Sequence, residues 1–305
     1  MRRIDVSVIV LTKNEHLHIK RCLDNLSPFV EKIFVIDCYS SDDTIVIANK
    51  YDNVQVLQHQ WPSTKYAGQF NWGLDNAGIT TKWVLRMDAD EYFTPELIRE
   101  TLEKLPLLPD SVSGIVMKRR CVFMGSWVKM GTYPVKLLRF FRYGKGRCEQ
   151  KLMDEHIQLT GEGEIVEFDN DFVDENLNNI AWFCHKHIDY AIREAVDLLD
   201  IELNLTGYAI NDSQKNLNRQ AQQKRKKKHR YAQKPLFWRS FAYFLYRYIF
   251  KGACFEGSIG FIHSFIQGWW YRTLADTIVF EIKQKCGNDR KMICEYLKEE
   301  YNIVI

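Results

Sequence analysis

Trp83-Val84-Leu85-Arg86-Met87-Asp88-Ala89-Asp90-Glu91-Tyr92-Phe93-Thr94-Pro95 is a short apolar run that stops at three carboxylates. Such a run suits a buried parallel strand whose C-terminal end opens on the crevice where open α/β sheets place ligands. Asp88 and Asp90 are two positions apart, so in extended backbone both point to one side. Paired carboxylates repel unless a cation sits between them, and hard oxygen ligands suit Mg²⁺ or Mn²⁺ shared with a substrate's phosphates. The plainer reading is a strand-to-helix turn, with Asp90 capping a helix that starts near Pro95 and Glu91 and Glu96 favouring its N-terminus. Asp-x-Asp alone does not separate the two; its surroundings do.

Upstream, strand and helix patterns alternate. Val6 to Leu11 is a β-branched run ending in the polar turn Thr12-Lys13-Asn14-Glu15. An amphipathic pattern follows to Leu26 before Pro28. Lys32 to Asp37 is a second strand, again closing on a carboxylate, and Thr44 to Tyr51 reads as helix after N-cap types. Val54 to Leu57, a helix over Tyr66 to Ala77 and the strand Trp83 to Met87 complete an alternation of four strands with three helices. That spacing argues for a parallel sheet covered on both faces. Thr12 to Glu15, Asp37 and Asp88 to Asp90 then share one sheet edge and one site.

Downstream, Gly114 to Arg119 and Lys136 to Phe141 read as strands continuing the sheet in mixed sense, Gly161 to Phe172 as a short hairpin, and Ile188 to Leu205 as a helix. After Gly207 the composition changes. Asn211 to Gln223 is rich in Asn and Gln, Lys224 to Arg230 is a basic run, and two aromatic helical segments follow over Leu236 to Phe250 and Phe261 to Ile282. In the first of these, Arg239 and Arg247 interrupt the apolar pattern.

The 305 residues, 46% hydrophobic and 27% charged, are ordinary for a soluble globular chain of one α/β domain plus an appendage. We expect domains over 1–207 and 208–305. The net charge of +3 is uninformative, but its concentration after Lys215 is not. Eight cysteines form no CxxC pair and sit among apolar residues, as buried thiols of a reducing cytosol do. Val6 to Leu11 is too short for a signal peptide, and no run approaches a transmembrane length. The chain is expected in the cytoplasm.

A first strand ending in Thr-x-Asn-Glu, a second ending in Asp and a fourth ending in Asp-Ala-Asp-Glu together resemble the family 2 glycosyltransferases, inverting nucleotide-sugar enzymes of the GT-A fold. Trp61 to Asn71 is similar to that family's basic-plus-Asn helix. Met153-Asp154-Glu155-His156, Lys186-His187 and the basic, aromatic tail resemble the bacterial lipopolysaccharide-core glucosyltransferase branch. One departure is Cys38-Tyr39, where the family usually has small residues. The resemblance implies a Rossmann-like nucleotide-diphospho-sugar transferase sheet with a helical C-terminal extension. It further implies transfer of a hexose, glucose in that branch, from a UDP-sugar to a lipid-linked or oligosaccharide acceptor of the cell envelope.

By the same resemblance Asp37 accepts the uracil N3–H, while Thr12 and Glu15 line the nucleotide pocket and Asn14 stabilises the turn. Lys65 meets the diphosphate as a point charge. Asp88 faces ribose and metal, and Asp90 coordinates Mg²⁺ or Mn²⁺. The acceptor's proton goes to Asp154 or Glu155, with Asp154 placed first by analogy to the family's acidic pair. His187 fits the late metal-binding histidine of many GT-A enzymes; a core or loop histidine is the alternative. The basic run and aromatic helices suit the inner face of the cytoplasmic membrane; alternatively the aromatics pack on the catalytic domain or a partner subunit and the basic run is solvated. Nothing beyond the charge run points to nucleic acid. A sugar-nucleotide nucleotidyltransferase would want glycines after strand one, and a non-catalytic membrane-associated scaffold would not need Asp37, Asp88, Asp90 and Asp154.

Overall fold

The computed structural model describes residues 3–60, 66–149, 156–206 and 219–304. Lys65, Asp154 and Glu155 lie outside the described residues.

Strands β1 (Ile4–Thr12), β2 (Val30–Asp37), β3 (Val54–Gln58) and β4 (Trp83–Asp88) alternate with helices α1 (Ile19–Leu26), α2 (Thr44–Ala48) and α3 (Tyr66–Asn76), as the apolar runs require. All neighbouring pairs among these four strands are parallel. After β4 come the short β5 (Glu91–Phe93), α4 (Pro95–Lys104), β6 (Val112–Phe123), β7 (Ser126–Trp127) and β8 (Val135–Arg142). Next are β9 (Gly146–Cys148), β10 (Ile157–Leu159) and β11 (Glu164–Glu175). The main sheet has nine strands in the order β3-β2-β1-β4-β8-β6-β11-β5, with β7 on β6; β8 runs antiparallel to both neighbours. This is the mixed GT-A sheet expected from the motif order.

Both faces are covered. Val8, Val10, Leu85, Met87 and Phe140 pack with α1 and α4 on one side, and Ile9, Ile36, Val84 and Phe141 pack with α3 on the other. Full burial of a Leu- or Phe-sized side chain contributes about 1.5–3 kcal/mol, so these layers dominate the stability of the sheet.

Two expectations change. Gly161 to Phe172 is not a hairpin: β11 is one long strand parallel to β6 and antiparallel to β5. The helix expected from Ile188 starts at Ile180 and runs to Leu203 as α5, because Asn179 caps it by accepting from Trp182 N.

The C-terminal helices are α6 (Arg219–Ala232), α7 (Trp238–Leu245, continued by a wider turn over Tyr246–Phe250), α8 (Gly257–Ser264, continued over Phe265–Trp270), α9 (Tyr271–Cys286) and α10 (Arg290–Tyr301). Ala191, Ala195 and Leu199 of α5 share an apolar core with Ile278, Val279 and Ile282 of α9 and Ile293 and Leu297 of α10. α5 lies before residue 207 and α9 beyond it, so this core joins the two expected regions. Among the described residues no helix is long and apolar enough to cross a membrane.

Candidate active site

Parallel register sets the site. Thr12 stands opposite Asp37 and Leu11 opposite Asp88, so the strands end together. Beyond them opens a cavity of about 830 Å³, lined by Thr12, Glu15, Asp88, Asp90, Asp174 and His187 among others. Its volume lies in the range of small-molecule sites.

The turn after β1 is tied to the turn after β2. Asn14 takes φ +58°, a left-handed conformation that Asn tolerates. Its Oδ1 accepts from Ser41 N at 2.8 Å, and its own N–H donates to Ser40 Oγ at 2.8 Å. Asp37 is buried. Oδ1 accepts from Thr12 Oγ1 (2.8 Å) and Ser40 Oγ (2.5 Å), and Oδ2 accepts from Ser40 N (2.8 Å). Asp37 thus holds the Cys38–Ser40 turn and does not reach the cavity surface. The turn before α2 is held instead by Asp42, whose carboxyl drops to about 2: Thr44 and His16 hydrogen bonds outweigh its burial.

Glu15 faces the cavity and also accepts from His18 Nδ1 at 2.6 Å. His18 Nε2 accepts from Leu177 N at 2.9 Å, which fixes the tautomer and links this loop to the end of β11.

Asp88 closes β4, and Ala89 and Asp90 turn the chain before β5, so the two carboxylates are presented by a turn and not by extended backbone. Asp90 does not cap α4; Thr94 does, accepting from Leu97 N. Asp90 is positioned through its carbonyl, which accepts from Arg21 Nη2 (3.2 Å) and Glu175 N (3.1 Å). Its Oδ2 accepts from Asn176 Nδ2 at 3.1 Å. Asp88 N donates to buried Glu91, which pairs with buried Arg139. Arg139 also lies 3.6 Å from Asp88 Oδ2. Burial would raise the Asp88 carboxyl, but Arg139, Arg86, Lys186 and Arg119 outweigh it and hold it below the usual value.

Asp174 on β11 escapes the sequence reading. It faces Glu91 across one strand pair and Cys121 across the other, and it pairs with Arg119 Nη1 at 3.1 Å. Burial together with Asp90 and Asp88 pushes its carboxyl up to about 6 against the pull of Arg119. Its only signal in the sequence was the acidic run Asp169 to Glu175.

These carboxylates fit a divalent ion. Asp88 and Asp90 supply hard oxygens, and Asp174 adds negative field beside them. No three His, Cys, Asp or Glu among the described residues are arranged to hold an ion by themselves. His187 does not join a preformed ligand set. On α5, its Nδ1–H donates to Phe183 O (2.7 Å) and Nε2 accepts from the Gln267 amide (2.5 Å). Burial, helped by Lys186, lowers its pKa, so the ring is neutral.

The description Glycosyl transferase family 2 matches residues 7–159, half of the chain. An uncharacterized glycosyltransferase of Rickettsia conorii is 32% identical over 92 residues, 30% of this chain and 31% of that protein. The glycosyltransferase SunS of a Bacillus subtilis prophage is 28% identical over 28% of this chain and 20% of its own. The chain thus matches less than a third of the length of these curated relatives. Among solved structures, S. aureus TarS 1-349 in complex with UDP-GlcNAc is 16% identical, with a TM-score of 0.47 over 97% of this chain and 91% of that one. The chain belongs to glycosyl transferase family 2.

Proposed function

We propose that the protein is a metal-dependent inverting glycosyltransferase that moves a hexose, glucose first among candidates, from a UDP-sugar to a saccharide acceptor. The acceptor is lipid-linked or an oligosaccharide, and the setting is lipopolysaccharide or a related envelope glycan. The observation that carries this reading is the Asp88–Asp90 turn at the mouth of β4, facing the Thr12–Glu15 loop across one cavity in a family 2 chain.

Thr12 and Glu15 bind the nucleotide, on a loop held by Asn14 and Asp37. A base reaching Asp37 needs Ser40 Oγ to yield its place on the carboxylate. Asp88 and Asp90 hold Mg²⁺ or Mn²⁺, which when bound supplies Lewis-acid charge for the leaving diphosphate. Lys65 adds positive charge, and His187, neutral and fixed by Gln267, borders the same space. Asp154 or Glu155 takes the acceptor's proton as its oxygen attacks the face opposite the diphosphate.

The C-terminal region, expected over 208–305, rests on the inner face of the cytoplasmic membrane. Support comes from the outward face of α7 and its continuation: Arg239, Phe244 and Arg247 are buried, while Trp238 (73% exposed), Tyr246, Ile249 and Phe250 (78%) face out. Phe255, 86% exposed, follows immediately. Glu256 is the single acidic residue between Ser213 and Ala275, a stretch rich in Lys and Arg, so the matching surface is anionic lipid.

The test is calorimetric titration of UDP with and without Mn²⁺, on wild type and Asp90→Ala. Metal-dependent binding lost in the variant is expected. No UDP binding by the wild type would sink the mechanism and favour a non-catalytic scaffold.

A further inference from the structure

The cavity has a second, cationic end. Arg247 lines it from the inner face of the α7 continuation and is 4% exposed. No carboxylate among the described residues pairs with it. Its Nη2 donates to His263 Nδ1 at 3.3 Å, its guanidinium carbon stands 5.8 Å from the Tyr243 ring, and its buried Nε has no hydrogen-bond partner. His263 is itself buried and lines the cavity; accepting at Nδ1 leaves its Nε2–H as a further donor. Burial and the Arg247 charge lower the pKa of His263 to about 3, so no positive charge is shared onto the ring. A buried guanidinium without a counter-charge is costly unless an anion completes it. The two other arginines on the cavity wall differ. Arg119 has Asp174, and Arg86 donates to Cys148 Sγ at 3.1 Å.

Building on the glycosyltransferase reading, we propose that Arg247 and His263 form an acceptor subsite that takes an anionic group, a phosphate or carboxylate carried by the acceptor. The donor diphosphate belongs at Asp88 and Asp90, within the residues shared with the family. Arg247 lies outside residues 7–159, in the part of the chain free to set what is accepted. The two ends are neighbours, because Cys121, opposite Asp174 in register, feels the charges of both Asp174 and Arg247. An arginine fork suits a tetrahedral or planar anion better than a lysine does.

The test titrates inorganic phosphate into the full chain, alone and with saturating UDP and Mn²⁺, with neutral glucose as control. Wild type, Arg247→Met and Arg247→Lys are compared, each checked for folding by circular dichroism. Expected is phosphate binding that persists with UDP present and weakens at least tenfold in Arg247→Met and several-fold in Arg247→Lys, while UDP affinity stays within twofold. Should Arg247→Met not fold, Arg247→Lys carries the comparison. Phosphate displaced by UDP would assign Arg247 to the donor and overturn the subsite. Equal phosphate affinity in wild type and the folded variants, or no phosphate binding by wild type, would also overturn it. Loss of UDP binding in wild type strikes the enzymatic reading instead, and the phosphate-alone titration still decides the subsite.

Discussion

Asp174 Oδ2 lies 3.1 Å from Arg119 Nη1, yet this pairing does not bring the carboxyl down to its ordinary range. Burial and the facing Asp90 and Asp88 prevail and leave it near 6. Because the folded value is raised, the native state binds the proton more tightly than the unfolded chain. This group therefore favours folding below about pH 4, and that contribution is lost as pH rises through 6. A divalent cation at Asp88 and Asp90 reverses the local field, so Mn²⁺ affinity should fall as pH drops below 6. Asp90→Asn should lower the Asp174 pKa, readable by carboxyl carbon NMR. An Asp174 pKa unchanged by both Mn²⁺ and Asp90→Asn would refute this account.

Asp37 makes a separable prediction. Three donors converge on it in a buried turn, so Asp37→Ala strands Thr12 Oγ1, Ser40 Oγ and Ser40 N without an acceptor. Each unsatisfied buried group costs about 1–3 kcal/mol. Urea unfolding should show a loss of several kcal/mol, on the order of 3, with UDP affinity falling as the Asn14–Ser41 turn loosens. Asp37→Asn, able to accept at one oxygen only, should sit between wild type and Asp37→Ala. Stability equal to wild type in Asp37→Ala would refute this role.

Much of this was legible in the chain. β-branched runs such as Val6 to Leu11 admit one structure once four of them alternate with amphipathic segments, and their polar ends mark the sheet edge. Thr12, Glu15, Asp88 and Asp90 follow from that edge. Asp174 does not: it depends on β11 pairing parallel to β6, a register that no local pattern records. The start of α5 was hidden because Ile180 to His187 mixes aromatic, thiol and imidazole groups that blur helical spacing. Arg239 and Arg247 looked like interruptions of an apolar stripe. They belong to its buried face together with Ser240 and Phe244, while Trp238, Tyr246, Ile249 and Phe250 form the outside.

The pair Arg239 and Asp276 shows what burying a guanidinium costs to maintain. Arg239 Nε and Nη2 donate to buried Asp276 Oδ1 at 2.8 and 2.6 Å, away from water, and Phe237 N donates to Oδ2 at 2.8 Å. Removing one partner of a buried pair leaves an uncompensated charge, a loss of about 3–5 kcal/mol. Asp276→Ala should lower the urea midpoint accordingly. The double substitution Arg239→Met, Asp276→Leu should recover most of it, since an apolar pair needs no compensation. A double variant as unstable as Asp276→Ala would show that packing, not charge, sets the cost.

The outward face makes the last prediction. Trp238, Tyr246, Ile249, Phe250 and Phe255 are exposed, and Lys251 stands among them. Water gains nothing from such a surface, whereas the headgroup region of a bilayer takes aromatic rings and attracts the surrounding Lys and Arg. The chain should therefore sediment with vesicles containing anionic phosphatidylglycerol and much less with neutral phosphatidylcholine. Raising the salt should release it in part, because screening weakens the charges and leaves the apolar insertion. Phe250→Ser with Phe255→Ser removes two exposed rings without touching the core, so the fold and UDP binding should persist while vesicle binding falls at least tenfold. Undiminished binding by the double variant, or equal binding to neutral vesicles, would place the contact elsewhere on the chain.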